Sequence, residues 1–357
     1  MNIKFPELTE EERRQKLNVP TGKIHLIIDT DAKNEVDDQF AVSWALRSPE
    51  RFEVDAVYAA PYSHDCFRKM AGDPTMFDDV GGIHYANHPG DGMEASYQEL
   101  LKLYGLLGVN PEGHVFRGSK NYISDIGGPV ESDAAKDLIN RAMSSDETIY
   151  VAAIGAPTNI ASALMMEPEL VKKIVVVWLG GQPLYFPHGV EFNLMQDIEA
   201  SRVLFNSGVP LVLIPCMNVA SMLTLTKPEV EQLLLGKNVI SDYLAKIVME
   251  AYGDLKTILM MTTGFRFSYL AGREDRENEY LFQFPTTEFA PSRIIWDIST
   301  VAFLKNPNWA LSTEETSPVL NDNLTWGPKD DSRHKIRVVN FCHRDLIFGD
   351  MIACLTK

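Results

Sequence analysis

The densest chemistry in this 357-residue chain is the run Asp29-Thr30-Asp31-Ala32-Lys33-Asn34-Glu35-Val36-Asp37-Asp38. Five carboxylates fall within ten residues. Like charges this close repel and raise one another's pKa unless a cation lies among them. An all-oxygen donor set suits a hard cation such as Ca2+ or Mg2+. The run therefore reads as a metal site. Its bland counterpart is that Asp37 and Asp38 only cap, or complement the dipole of, a helix that starts near Gln39. Two other chemistries can be checked against the spacing. An EF-hand loop needs Gly at its sixth position and Glu at its twelfth; counted from Asp29 those places hold Asn34 and Phe40. A phosphatase forming an aspartyl-phosphate on Asp29 usually has Thr two residues after the second Asp, and Lys33 stands there.

The elements around this run tell where it sits. An apolar run over 23–28 predicts a strand that ends directly at Asp29. Phe40, Ala41, Trp44 and Ala45 fall at helical spacing and predict a helix over 39–47, stopped by Ser48-Pro49. A second strand follows over 52–60, so the unit reads as a βαβ crossover of a parallel sheet. Residues 61–95 are rich in Gly, Pro and His and read as a long loop of the kind that covers active sites. A helix is expected over 94–107. Helices over 133–143, 159–166 and 197–206 then alternate with strands over 148–154, 173–179 and 210–215. Residues 227–304 read as mainly helical, with a polar interruption at 272–279. A last strand is expected over 335–341 and a last helix over 346–355. The fold class expected is α/β, a doubly wound, mostly parallel open sheet with helices on both faces. The expected organisation is a polar arm over 1–22 and one domain over 23–357. In such sheets ligands bind outside the carboxyl ends of the strands, where the acidic run lies.

Composition narrows the partners. With 49 acidic against 33 basic side chains the net charge is −16, which argues against a nucleic-acid backbone partner. No stretch approaches the roughly 18 apolar residues of a membrane span, and the opening residues show no apolar leader. Cys66, Cys216, Cys342 and Cys354 are scattered without a C-x-x-C pair, as expected for reduced thiols of a cytoplasmic protein.

Four segments, in order, resemble the inosine-uridine nucleoside hydrolase family. Asp29-Thr30-Asp31 followed by Asp37-Asp38 resembles its opening Asp-x-Asp-Pro-Gly-x-Asp-Asp, with the Pro-Gly missing and the loop two residues longer. Gly155-Ala156-Pro157-Thr158-Asn159 resembles its Gly-Pro-Leu-Thr-Asn turn. Glu191-Phe192-Asn193 with Asp197-Ile198-Glu199-Ala200 resembles its ribose-binding segment. Trp296-Asp297 resembles its His-Asp pair before a helix. The resemblance implies a Ca2+-dependent N-glycosyl hydrolase of ribonucleosides or related ribosyl compounds, serving purine or pyrimidine salvage as a homodimer or homotetramer. It implies that Asp31 is both a Ca2+ ligand and the general base for water. Asp38, the Thr158 carbonyl and Asp297 would complete the ligand set. Asp37, Glu191, Phe192 and Asn193 would contact the sugar, Trp296 would contact the base, and Asp29 would support the cluster from behind. The chain departs from the family at three places. Trp296 replaces the His, residues 183–188 lack an Asn, and Pro61-Tyr62-Ser63-His64 replaces a Gly-Asn. Candidates for the missing contacts are His64, His84, His88, His188, Arg266 and Arg273. The rival readings are a ribosyl-ligand binder without turnover and the phosphatase above.

Overall fold

The run Ile24–Thr30 is apolar along its whole length, so a strand made from it must be covered on both faces. Alternation then divides its side chains: Leu26 and Ile28 enter one core and Ile27 the other. A computed structural model describes residues 3–65, 68–69, 82–252 and 292–357 and builds the chain around this strand.

The described elements run in order as α1 (Glu10–Leu17), β1 (Ile24–Thr30), α2 (Asp38–Leu46), β2 (Phe52–Ala59), α3 (Pro89–Leu107), β3 (Val115–Arg117), α4 (Asp133–Ser144), β4 (Ile149–Ile154), α5 (Thr158–Met166) and β5 (Ile174–Leu179). They continue with α6 (Phe192–Gln196), α7 (Ile198–Asn206), β6 (Leu211–Ile214), β7 (Thr224–Thr226), α8 (Val239–Glu250), β8 (Ser292–Ile294), α9 (Ile298–Lys305), β9 (Ala310–Thr316), β10 (Lys335–Cys342) and α10 (Arg344–Leu355). Eight strands form one sheet in the order β3-β2-β1-β4-β5-β6-β10-β9. Every pairing in it is parallel except β9 on β10. The order reverses between β1 and β4, and the crevice at such a switch point is where open α/β sheets bind ligands. Side chains of α2, α9 and α10 fill the core on one face, and those of α4, α5 and α7 fill the other. Among the described residues no helix is long and apolar enough to cross a membrane.

The doubly wound sheet is as expected, but four local expectations are corrected. The arm over 1–22 contains a helix, α1, started by a Thr9–Glu12 capping box. Its Arg13 is buried and donates to the Gly208 carbonyl, so the helix is docked rather than free. Helix α3 begins at Pro89, five residues before the expected start. Gly90 and Gly92 read as loop residues, yet they let the helix pass close to its neighbours. A Cβ on Gly92 would stand 2.1 Å from the Tyr62 carbonyl. The region 227–304 is not helical throughout: β8 pairs antiparallel with β7. The strands β3 and β9 had no distinct sequence signal, being short or polar on their outer faces. The polar interruption at 272–279 lies outside the described residues.

Candidate active site

The end of β1 places the acidic run in the β1/β4 crevice. Asp29 is fully buried and its Oδ1 accepts from Asn159 Nδ2 at 2.8 Å. Burial pushes its pKa up to about 7. It is walled in behind the cluster, not exposed as a nucleophile. Asp31 follows, and its Oδ2 is buried with no hydrogen-bond partner among the described residues. Gly155, at the end of β4, lies against it: a Cβ there would stand 3.3 Å from Asp31 Oδ1. Thr30 Oγ1 donates to Asp38 Oδ1.

The longer loop is pinned by its own charges. Lys33 Nζ meets the buried Glu99 at 3.2 Å, and Glu99 also accepts from Tyr243. Glu35 Oε2 meets Arg293 Nη2 at 2.6 Å. Arg293 is itself buried, and its Nε and Nη1 find no partner among the described residues. This ion pair is the first of three rungs that lace residues 35–38 to residues 293–297. The second is the Trp296 N–H, which donates to Asp37 Oδ2 at 3.0 Å. The third is the close approach of the Asp38 and Asp297 carboxylates, which lie within 4.8 Å of each other.

Asp37 and Asp297 each occupy an N-cap position, yet neither side chain makes a capping bond. Simple capping therefore does not account for them. One carboxylate oxygen from each of Asp37, Asp38 and Asp297 lies within 4.8 Å of the others. Asp31 stands outside this trio but close enough to feel it. Burial, and then the charges of Asp38, Asp37 and Glu35, raise Asp31 well above the usual carboxylate range. Burial, and then Asp37, Asp38 and Asp31, do the same to Asp297. Asp37 is raised by burial and by Glu35 and Asp38, with Arg293 opposing. Asp38 is pushed up to about 7, chiefly by burial. Among the described residues, four buried carboxylates thus face a single nearby guanidinium that is already paired. A hard divalent cation fits this donor set and would relieve the repulsion.

The opposite wall comes from the segment after β5. Glu191 caps α6, accepting from Asn193 N at 2.9 Å, Leu194 N at 3.0 Å and Gly181 N at 2.8 Å. These amides fix the carboxylate. Asn193 Nδ2 donates to the Leu179 carbonyl at the end of β5. Both residues are buried, not ordinary surface polars. Thr158 Oγ1 donates to Asp197 Oδ2 at 2.8 Å, and Asp197 also holds Ile123 N, Ser124 N and the first turn of α7. Asp197 is thus a structural hub. Phe192 lies 5.4 Å from the His64 ring, which also meets Tyr62 and Tyr85. Burial pushes His64 down to about 3, so its imidazole is neutral. His84 Nδ1 meets the Tyr62 hydroxyl, and His188 Nδ1 accepts from Val190 N. His88 is the N-cap of α3. Arg266 and Arg273 lie outside the described residues.

The structure therefore gathers Asp31, Asp37, Asp38, Asp297 and Trp296 at one point. It sets Thr158, Glu191, Phe192 and Asn193 on the neighbouring strand ends. Sequence reasoning missed Arg293, Gly155 and Gln196. Arg293 carries no motif; Gly155 lies inside a quoted motif at a position given no role, and Gln196 falls between the two parts of another.

The family model of inosine-uridine preferring nucleoside hydrolases matches residues 26–340. The chain belongs to this family. As an inosine-uridine preferring nucleoside hydrolase it is an N-glycosyl hydrolase. This hydrolase is 26% identical over 242 residues to "Probable uridine nucleosidase 2" of Arabidopsis thaliana, a match covering 64% of this chain and 70% of the relative. It is 42% identical over 83 residues to the pyrimidine-specific ribonucleoside hydrolase RihB of Escherichia coli, covering 22% of this chain and 26% of that enzyme. Its fold is similar to a purine-preferring ribonucleoside hydrolase from Gardnerella vaginalis, with a TM-score of 0.65, 19% identity and coverage of 93% and 98% of the two chains. It is likewise similar to a plant nucleoside hydrolase, with a TM-score of 0.64, 17% identity and coverage of 93% and 99%.

Proposed function

We propose that this hydrolase cleaves the N-glycosidic bond of a ribonucleoside, with Ca2+ held by Asp31, Asp38, Asp297 and the Thr158 carbonyl. The observation that carries this reading is the buried carboxylate group at the β1/β4 switch point, whose charge Arg293 alone among the described residues offsets only in part. When bound, Ca2+ supplies positive charge that lowers the pKa of a neighbouring water and orders it. Asp31 accepts the proton of the attacking water; its Oδ2 has no hydrogen-bond partner among the described residues. Asp37, Glu191 and Asn193 hold sugar hydroxyls and so fix the anomeric carbon. Glu191 suits this because three backbone amides fix the orientation of its carboxylate. The surrounding negative charge stabilises the oxocarbenium character of the sugar as the base departs. Asp29 braces the cluster through Asn159. Trp296 offers an aromatic ring for the base in place of an imidazole, and Phe192 with His64 forms the apolar side of the site. The relatives' names include both pyrimidine and purine nucleosides, so recognition of the sugar is the common denominator.

The test is release of free ribose from a panel of ribonucleosides, with Ca2+ and with chelator. Turnover of at least one nucleoside that needs the cation is expected. Asp31→Ala should lower kcat by about 10²–10⁴-fold, the usual worth of a positioned base. Full activity in that variant would sink the mechanism. A homo-oligomer in the cytoplasm is part of the same proposal, checked by light scattering of the purified protein and by cell fractionation.

A further inference from the structure

We propose that Gln196 is a substrate-binding residue of this site, its side-chain amide donating to a hydroxyl oxygen of the sugar. The inference rests on the reading of the chain as a ribonucleoside hydrolase and adds a contact that reading does not contain.

The amide's orientation is fixed by chemistry. One end of it lies 2.8 Å from the Ser63 backbone N–H and 2.7 Å from the Tyr122 hydroxyl. A backbone N–H can only donate, so this end is the oxygen, Oε1. The other end, Nε2, then carries two N–H donors facing away from Ser63. Nε2 is buried and has no hydrogen-bond partner among the described residues. A buried amide nitrogen without an acceptor is costly, and native structures rarely leave one so. If the residue served only to accept from Ser63 and Tyr122, nothing would account for the NH2.

The topology says where those donors are. Ser63 follows β2 and Gln196 follows β5. In the sheet order β2-β1-β4-β5, the Ser63–Gln196 bond joins segments that follow the two strands flanking β1 and β4. The carboxyl ends of β1 and β4 carry Asp31 and the turn from Gly155 to Thr158. The next residue, Asp197, grips Thr158 Oγ1. Tyr62, adjacent to Ser63, feels the charges of Asp31 and Asp38. Gln196 also lies three residues after Asn193 on the single turn of α6, so the two amides share a helix face. A sugar hydroxyl is the acceptor within reach of that face.

The experiment uses two variants and substrate analogues. Gln196→Glu keeps an oxygen for Ser63 and Tyr122 but removes both donors; Gln196→Met removes oxygen and donors alike. Steady-state kcat and KM would be measured in Ca2+ for the best ribonucleoside and for its 2′-, 3′- and 5′-deoxy analogues, with thermal melts of each protein. Both variants should lose about 10–100-fold in kcat/KM on the parent nucleoside. For one deoxy analogue the wild type and Gln196→Glu should differ by less than about threefold, because the acceptor is already gone. An equal loss on the parent and all three analogues, or no loss at all, would overturn the inference while leaving the hydrolase reading intact. A wild-type protein that turns over no nucleoside would overturn both.

Discussion

The backbone N–H of Trp296 donates to Asp37 Oδ2 at 3.0 Å, across 259 positions of sequence. The bond holds the Asp37 carboxylate among those of Asp38 and Asp297, within 4.8 Å of each. It explains why a residue in an N-cap position makes no cap. The contact is made by the backbone, so the identity of the side chain at 296 can change without moving the acids.

Ca2+ should stabilise the protein, because the cation relieves repulsion that only the folded state contains. At about 100 times its Kd the gain is about 2.7 kcal/mol, or about 3–4 °C in Tm for a chain of this size. Differential scanning fluorimetry with Ca2+, with Mg2+ and with EDTA reads this. Asp38→Asn should abolish most of the Ca2+ shift. An unchanged shift would remove Asp38 from the ligand set.

Breaking the outermost rung should be costly. Glu35→Gln leaves Arg293 buried beside Asp37 without its partner, and loss of one member of a buried pair costs about 3 kcal/mol. The double variant Glu35→Gln/Arg293→Met should recover part of that loss, since neither charge remains. Urea denaturation of the two single variants and the double variant measures the coupling. Additive losses would mean that the ion pair does not hold the loop.

Gly155→Ala should impair chemistry more than folding. The added Cβ would stand 3.0 Å from Ala60 Cβ and 3.3 Å from Asp31 Oδ1, so the carboxylate must shift by a few tenths of an ångström. Small misplacements of a reacting group can cost about 10–100-fold in rate. The expected outcome is a fall of that size in kcat with a Tm within a few degrees of wild type. Unchanged kcat would show that the carboxylate has room to yield.

Stability should decline as the pH falls below about 6.5, in part through His334. Burial, and then Arg13 and Arg333, push its pKa down to about 4. The unfolded chain takes up the proton near 6.5 and the folded chain only near 4. The His334 contribution is therefore complete above pH 6.5 and is lost progressively as pH falls toward 4. Denaturation midpoints at pH 7.5, 6 and 5 should fall less steeply in His334→Gln. Parallel profiles would assign the acid sensitivity to other groups.

Much of this was legible in the chain. Near-continuous apolar runs such as Ile174 to Val177 can only be strands buried on both faces, and they are. The acids from Asp29 to Asp38 pointed to a cation site because their crowding is repulsive, and the structure brings Asp37 and Asp38 together with Asp297. Less visible were features whose meaning depends on a distant partner. Glu35 looked like an extra residue of an enlarged loop until Arg293, 258 positions away, gave it a counter-charge. Gly92 looked like a helix breaker until the Tyr62 carbonyl filled the place of its side chain. Glu191 looked like a ligand contact alone, although three backbone amides already use it. Short polar strands such as β9 carry little periodicity and were lost among loops.

The three rungs between residues 35–38 and 293–297 have a consequence for how the protein is made. A ribosome emits the first half of the acidic cluster early and Asp297 only after more than four-fifths of the 357 residues. Until then the emerging chain holds Asp31, Asp37 and Asp38 without the segment that orients them. On the proposed function, cation capture follows late closure of the fold, and a released chain that lacks the last rung does not assemble the full ligand set.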